Sequence, residues 1–168
     1  MNTFLKVISS LNDKGCRYVV VGGFAAVMHG NNRFTSDLDL VVDLNECEAK
    51  KTIQALIAIG FQSRLPVNPL DFASATQRGM WIEEKNMKVF SLIDPKQATF
   101  AVDLFVESVI DFNELYARSV VLNIENVDIR ICSIVDLIKM KEISGRPQDL
   151  IDLDNLRILR ERGLTLDE

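Results

Sequence analysis

Three aspartates in apolar surroundings are the residues of this sequence best suited to chemistry. Asp37 and Asp39 flank a leucine in the run DLDLVVD, and Asp103 is the only charge in the run FAVDLFV. On a β-strand, residues two apart point to the same face, so the carboxylates of Asp37 and Asp39 are predicted to converge. Like charges this close repel each other unless a cation lies between them, and carboxylate oxygens suit Mg²⁺ or Mn²⁺. The spacing therefore favours a divalent metal site, with Asp103 as a candidate third ligand.

Two plainer explanations remain open for these carboxylates. A solvent-facing strand accounts for a bare pair of aspartates two residues apart. A salt bridge to a lysine or arginine, or a place at an exposed strand end, accounts for Asp103, because an unpaired buried carboxylate is costly. Only their meeting in three dimensions would distinguish a metal site from these alternatives.

A pair of glycines, Gly22 and Gly23, is the next candidate. The pair follows the β-branched run 17–21 and precedes a short apolar segment with helical character. Glycine lets a phosphate approach the backbone, and the free N–H groups at the start of a helix favour an anion. A tight turn between a strand and a helix also explains an isolated glycine pair.

Hydrophobic periodicity, glycines and prolines predict the elements that must position these residues. Strands are predicted over residues 17–21, 37–43, 89–93, 100–106, 120–124 and 127–131. Helices are predicted near residues 4–11, over 24–29, 46–59 and 111–117, from 133, and from 147 to about 162. Residues 62–75 are predicted to be irregular, and no motif is assigned within 62–97. Because strands and helices do not alternate strictly, the predicted fold class is α+β, a small mixed β-sheet flanked by helices.

Length and composition narrow the functional classes. The 168 residues suit one domain over 1–168, with a core at about 16–132 and C-terminal helices at about 133–162. The net charge of −5 argues against a surface coated in basic residues for duplex binding. Three cysteines without C-x-x-C spacing argue against zinc and disulfide frameworks. No signal peptide and no membrane-spanning run is recognised, which predicts a cytoplasmic protein without a membrane partner.

Together, these features resemble a known family. The segment VVGGFAAVMHGNNRFTSDLDLVVD, residues 20–43, is similar to the core motif of the DNA polymerase β-like nucleotidyltransferase superfamily, with a third aspartate on a later strand. His29-Gly30, Arg33, Thr35-Ser36 and the segment from Lys139 to GRPQDL resemble the bacterial abortive-infection group within it. That group includes the toxins of type IV toxin–antitoxin systems.

The resemblance implies transfer of a nucleoside monophosphate from a nucleoside triphosphate to an acceptor hydroxyl. It implies that Asp37 and Asp39 hold Mg²⁺ or Mn²⁺, and that Asp103 ligates the ion near the acceptor and helps to deprotonate it. Triphosphate contacts are implied for the N–H groups and hydroxyl of Gly22, Gly23 and Ser36, and for the cation of Lys141. A solvated helix lysine explains Lys141 equally well.

The acceptor and the partners are left open by the sequence. RNA and protein acceptors would suit a toxin-like enzyme with a cognate antitoxin, whereas a small molecule would suit an antibiotic-type adenylyltransferase. A non-catalytic nucleotide- or protein-binding module of the same fold is a further alternative. Known toxins of the group are generally longer, with an additional helical region. His29, the only histidine, is expected to terminate a helix, and Arg146 and Asp149 are expected to pair between the last two helices.

Overall fold

The computed structural model describes residues 2–167, in which seven strands form one mixed sheet. The strands in chain order are β1 (Tyr18–Val21), β2 (Leu38–Val42), β3 (Gln62–Ser63), β4 (Val89–Ile93), β5 (Ala101–Phe105), β6 (Val120–Ile124) and β7 (Val127–Ile131). Their order across the sheet is β3-β4-β5-β2-β1-β7-β6.

Seven α-helices accompany the sheet within the same residues: α1 (Thr3–Asp13), α2 (Gly22–Met28), α3 (Glu46–Ala58), α4 (Ala75–Lys85), α5 (Phe112–Arg118), α6 (Ile134–Ser144) and α7 (Pro147–Glu161). A short 3-10 helix, Pro69–Ala73, precedes α4. Helix α1 packs against β7 and α3, whereas α6 packs against α2 and α7. The predicted fold class, a mixed sheet flanked by helices, is confirmed.

Strand β2 lies at the centre of the arrangement that matters here. It pairs antiparallel with β1, where Val21 is opposite Asp39, and parallel with β5, where Asp39 is opposite Asp103. Leu38 and Leu40 are fully buried in the core, on the face of the sheet opposite to Asp39. The alternation of apolar and acidic residues therefore fixes which face receives the carboxylates.

Local signals explain most of the element boundaries. Gly15 has a φ of +63° and follows α1, as its position in the sequence predicts. The hairpin between β6 and β7 turns at Glu125 and Asn126, both with positive φ. Ser133 caps α6 by accepting a hydrogen bond from the Asp136 N–H, but the Asp136 carboxylate binds Arg118 instead of completing a capping box.

The largest difference from the sequence prediction lies in residues 62–97. Residues 62–75 contain strand β3 and the 3-10 helix, and α4 extends from the last of these residues, Ala75, into the unassigned stretch that follows. Helix α4 shows no helical pattern of apolar residues in the sequence, because its only buried residues are Arg78 and Trp81. Arg78 is covered by hydrogen bonds to backbone carbonyls of Phe72 and Leu44. A buried arginine at a core position breaks the apolar pattern on which the prediction relies.

None of the helices within residues 2–167 combines the length and the apolar character needed to cross a membrane.

Candidate active site

The sheet brings two of the three candidate aspartates side by side. Asp39 on β2 and Asp103 on β5 are register partners in adjacent parallel strands, and both side chains are partly buried. The third, Asp37, comes one residue before β2 and is also partly exposed. The hydroxyl of Ser36, itself exposed, donates a hydrogen bond to Asp37 at 3.3 Å. The charge of Asp37 acts on both Asp39 and Asp103, so the three carboxylates share one region of the fold.

Negative charge in this region is incompletely balanced. Burial, and then the charge of Asp103, raises the pKa of Asp39 to about 7, although the Gly23 N–H and Arg146 act to lower it. Burial also raises the pKa of Asp103, against a 2.5 Å hydrogen bond from the Ser91 hydroxyl. Both carboxylates therefore favour either a proton or a cation.

The donor chemistry fits a divalent cation. Within residues 2–167, no group of three or more His, Cys, Asp or Glu side chains is arranged to hold a metal ion. Mg²⁺, however, is usually bound by one or two carboxylates, with water and substrate phosphates completing its shell. Asp39 and Asp103 supply such a pair, with mutual repulsion that a cation would relieve. The assignment of Asp37, Asp39 and Asp103 as metal ligands stays a prediction.

The two glycines are needed to let the chain pass close to neighbouring side chains. Gly22 begins α2 with a φ of +65°, and a Cβ atom there would lie 2.1 Å from Oδ2 of Asp39. At Gly23 a Cβ atom would lie 2.5 Å from Oγ1 of Thr35. The glycine pair thus seats Asp39 and Thr35 directly. The role predicted for the pair in phosphate binding remains a prediction, since close packing against Asp39 and Thr35 by itself explains both glycines.

Lys141 lies at the centre of a buried ionic network. Its Nζ donates to Oδ1 of Asp149 at 3.2 Å and to Oδ2 of Asp152 at 2.6 Å, and its side chain is only 5% exposed. Asp152 also binds Arg33 at 2.5 Å, and Asp149 binds Arg146 at 2.8 Å. The ammonium predicted to contact phosphate is therefore occupied by two carboxylates of α7.

Charge is well compensated in this network, unlike at the acid pair. Burial acts to raise the pKa of Asp149, but hydrogen bonds from Arg146 and Ser144 and the charge of Lys141 outweigh it and lower the pKa to about 2. The pKa of Asp152 is lowered too, since the hydrogen bond and charge of Lys141 overcome the effect of burial. The expected pairing of Arg146 with Asp149 at the start of α7 is confirmed.

A cleft of about 560 Å³ joins the acid pair to the network. Gly22, Asp39, Asp103 and Lys141 all line it, and its size is typical of a small-molecule site. Gly23, Ser36 and Asp37 are not part of its wall. The structure thus gathers four of the seven candidate residues around one cavity.

Sequence reasoning missed three polar residues of this region as candidates for the site. Arg146 was assigned only to the helix junction, yet its side chain is 75% exposed and lines the cleft, and its charge acts to lower the pKa of Asp39. Lys88 lines the cleft from the residue before β4, and nothing in its local sequence marks it. Ser91, opposite Asp103, could have been found from the sequence, because it is the only polar residue of β4.

His29 has the structural role expected of it. It is the C-cap residue of α2 and is buried. Its Nε2 lies 2.8 Å from the carbonyl oxygen of Cys132, and its Nδ1 accepts a hydrogen bond from the Leu166 N–H at 3.3 Å. The ring thus connects α2 to the residue that follows β7 and to the segment after α7.

A family described as "nucleotidyltransferase of unknown function" matches residues 1–165. The chain belongs to that family. No curated protein is significantly similar to the sequence.

Solved structures extend the likeness to antibiotic-modifying enzymes. The lincosamide antibiotic adenylyltransferase LnuA, solved with lincomycin bound, has a TM-score of 0.58 at 15% identity over 93% of this chain and 95% of its own. ANT(2")-Ia, solved with adenylyl-2"-tobramycin, has a TM-score of 0.55 at 11% identity over 96% and 97%. An antigenic nucleotidyltransferase-like protein from Paracoccidioides brasiliensis has a TM-score of 0.54 at 18% identity over 92% and 73%. At these identities the likeness establishes the nucleotidyltransferase fold.

Proposed function

We propose that this protein transfers a nucleoside monophosphate from a nucleoside triphosphate to an acceptor hydroxyl, with Mg²⁺ or Mn²⁺ as cofactor. The register pair of Asp39 and Asp103 carries the proposal, because it holds two partly buried carboxylates together beside the glycine turn. Clustered carboxylates lower stability unless a cation joins them. A scaffold without catalytic or binding function has no need of this arrangement.

The proposed reaction is a single displacement at phosphorus. The acceptor oxygen attacks the α-phosphorus of the triphosphate and forms a new P–O bond. The bond from that phosphorus to the oxygen bridging to the β-phosphate breaks, and pyrophosphate leaves. The proton of the acceptor hydroxyl passes to the Asp103 carboxylate and then to solvent. Such transfers depend on positioning and charge neutralisation more than on covalent participation by the protein.

Each candidate residue has a part in this proposal. Asp39 and Asp103 would hold the cation, with Asp37 as a further ligand, and the bound cation supplies charge neutralisation at the phosphate oxygens. The N–H groups of Gly22 and Gly23 and the hydroxyl of Ser36 remain the proposed triphosphate contacts.

Two basic residues are assigned different parts. Arg146 is proposed to contact the triphosphate directly, because it is exposed, lines the cleft beside the acid pair and acts on Asp39 through its charge. Lys141 lines the same cleft, but its ammonium is bound to Asp149 and Asp152. Its proposed effect on nucleotide binding is therefore indirect, through the placement of Asp149 and hence of Arg146.

A small-molecule acceptor is the candidate that the comparisons favour. The chain covers 95% and 97% of two antibiotic adenylyltransferases, so little of their length is without a counterpart in this chain. Their acceptor class is therefore proposed ahead of the RNA or protein acceptor of a toxin-like enzyme. A toxin role with a cognate antitoxin, and a non-catalytic binding module, remain hypotheses of the sequence alone.

Calorimetry and product analysis test the proposal together. Wild-type protein is titrated with each of the four nucleoside triphosphates, with Mg²⁺ and with chelator, and pyrophosphate release is followed with a metabolite extract. Binding that requires the divalent ion is expected for at least one triphosphate. Asp39→Asn should abolish release, whereas Asp154→Asn, an exposed aspartate on α7, should leave it unchanged. Absence of divalent-dependent binding of any triphosphate to folded wild-type protein would contradict the proposal.

A further inference from the structure

Apolar side chains continue from Asp103 along the face of the sheet that carries the acid pair, and with Met140, Ile143 and Val109 they form what is called the slot below. Ser91 is opposite Asp103, and Val89 is opposite Phe105, in the antiparallel pair of β4 and β5. Because side chains alternate along each strand, these four residues share one face of the sheet. Val89, Phe105 and Asp103 all line the cleft. The polar end of this surface thus passes directly into an apolar one.

Helix α6 and the segment after β5 add further apolar side chains to the lining of the cleft. Met140 and Ile143 of α6 line the cleft, as does Val109 from the segment that follows β5. The Ile143 side chain is 56% exposed and the Val109 side chain 43%. Single exposed aliphatic residues are ordinary on a protein surface, but two that line one cleft form an apolar surface without a partner.

The charges around the cleft are divided between its two ends. Arg146 lines the cleft and its charge acts on Asp39, and Gly22 lies against the same aspartate, so the positive charge and the glycine turn are assigned to the Asp39 end. The slot begins on β5, the strand of Asp103, and the charged lining residues next to its strands are Lys88, which precedes Val89, and Glu107, which follows β5, one of each sign. One charge of each sign gives no net electrostatic attraction for a polyanion such as RNA. It also gives no electrostatic penalty for binding an uncharged molecule.

We propose that this slot is the acceptor subsite and that it takes a small, uncharged molecule carrying a hydroxyl group and an apolar ring or chain. The inference rests on the proposed function, since it places the acceptor hydroxyl at Asp103. The apolar part would lie between Phe105 and Val89 on one side and Met140 and Ile143 on the other. Such a molecule buries the exposed surfaces of Ile143 and Val109, which supplies the binding energy.

The first experiment uses two neutral glucosides as probes. Binding of p-nitrophenyl β-glucoside and methyl β-glucoside to wild-type protein is followed by the methyl NMR signals of Ile143, Met140, Val89 and Val109. The nitrophenyl compound should bind at least about tenfold more tightly, because only it has an apolar ring. It should also shift the signals of these four residues. Equal affinities, or shifts confined to other methyl groups, would overturn the proposal.

A matched pair of variants locates the binding. Ile143→Lys places a charge in the slot, whereas Val135→Lys alters a 47% exposed valine of the same helix that does not line the cleft. Ile143→Lys should weaken nitrophenyl glucoside binding by about tenfold or more, and Val135→Lys should leave it unchanged. Both positions are exposed, so both variants should fold. Equal effects of the two variants would place the probe outside the slot.

A nucleotide analogue separates this inference from the proposed function. With Mg²⁺ and α,β-methylene analogues of the four triphosphates, nitrophenyl glucoside should keep its affinity, because acceptor and nucleotide occupy different ends of the cleft. Competition between glucoside and analogue would show that the slot holds the nucleobase, and would overturn the acceptor assignment. Failure of every analogue to bind would contradict the proposed function, while the glucoside experiments would still decide the ligand class of the slot. If an oligouridylate shifted the signals of the same methyl groups and the glucoside did not, an RNA acceptor would be favoured and the inference refuted.

Discussion

Asp39 is the carboxylate whose surroundings act most strongly against its charge. Burial and the charge of Asp103 raise its pKa from an ordinary 3.8 to about 7. Between these two values the folded protein binds the proton more tightly than the unfolded chain does. The contribution of Asp39 to the free energy of unfolding is therefore greatest below about pH 4 and is lost as the pH rises through 7. The total loss is roughly 1.4 kcal/mol for each unit by which folding raises the pKa.

This sign gives a prediction for Asp39→Asn. In buffer with chelator, the variant should melt at a higher temperature than wild type at pH 8, because it removes a charge that the fold disfavours. The difference should shrink towards pH 4, where the wild-type carboxyl is protonated. Thermal unfolding across this pH range is the measurement, with the exposed Asp13→Asn as control. A lower melting temperature for Asp39→Asn at pH 8 without metal would mean that the Asp39 charge is already compensated.

Gly22 and Gly15 form a natural pair for testing the glycine turn. Both have positive φ, +65° and +63°, but only at Gly22 would a Cβ atom meet Asp39, whereas at Gly15 nothing lies within 4 Å. Gly15→Ala should lower the free energy of unfolding by about 1–2 kcal/mol from backbone strain alone. Gly22→Ala should lower it by roughly 1–3 kcal/mol more and should displace Asp39.

Denaturant unfolding and triphosphate calorimetry measure the two effects. Gly15→Ala should retain divalent-dependent nucleotide binding, because its site lies at the end of α1. Gly22→Ala should lose it. Equal losses of stability with intact nucleotide binding in both variants would remove the contact between Gly22 and Asp39 from the site.

The aspartate pair and the glycines were accessible from sequence because each interrupts a local pattern. A charge within FAVDLFV and two glycines at a strand end are visible without a structure. The hydrogen bond from Ser91 to Asp103 and the place of Arg146 in the same cleft as Asp39 were not, since they depend on strand register and on the approach of α7. Local patterns identify which residues are unusual, and register decides what they meet.

Helices α6 and α7 are joined by a network that also holds the loop before β2. Asp152, fully buried, accepts hydrogen bonds from Lys141 of α6, from Gln148 of its own helix, and from Asn31 and Arg33 of the loop. That loop leads to Asp37. The last helix therefore restrains the chain that carries the first candidate ligand.

Lys141→Met tests this restraint. Removing the ammonium leaves Asp149 and Asp152 buried with less positive charge, so the free energy of unfolding should fall by about 3–5 kcal/mol. Lys139→Met, on the exposed side of the same helix, should change it by less than about 0.5 kcal/mol. Denaturant unfolding measures both. Adding Asp152→Asn to Lys141→Met should recover part of the loss, and full additivity of the two changes would argue against a coupled network.

Helices and strands were predicted correctly where turn-forming residues mark their ends, and incorrectly where a charged residue is buried in the core. Strand β4, Val89–Ile93, and the hairpin strands of β6 and β7 were predicted to the residue, since turn residues bound them. Helix α4 was missed because Arg78 occupies a position where periodicity requires an apolar side chain. The buried charge of Lys141 was likewise unforeseen, since a lysine on a helix is ordinarily solvated.

The order of strands across the whole sheet is what sequence could not supply. Nothing local indicates that β5 lies beside β2, or that β7 joins the other side of β1. The mixed character of the sheet was predicted from the irregular alternation of strands and helices, but pairing partners were not. The spacing of Asp37 and Asp39 and the lone charge of Asp103 in an apolar run supplied the expectation of convergence, and the sheet order with its register places Asp39 opposite Asp103.

The same strand order has a consequence for how the chain folds. Strand β2 follows β1 after one short helix and a loop, but it meets β5 only after α3, β3, α4 and β4 have been made. During synthesis from the N-terminus, Asp39 can dock against Gly22 long before Asp103 exists. Pairing of distant strands is the slow step in folding, and here that step also brings two negative charges together. A divalent ion present during refolding should therefore accelerate the last stage of sheet assembly as well as stabilise its product.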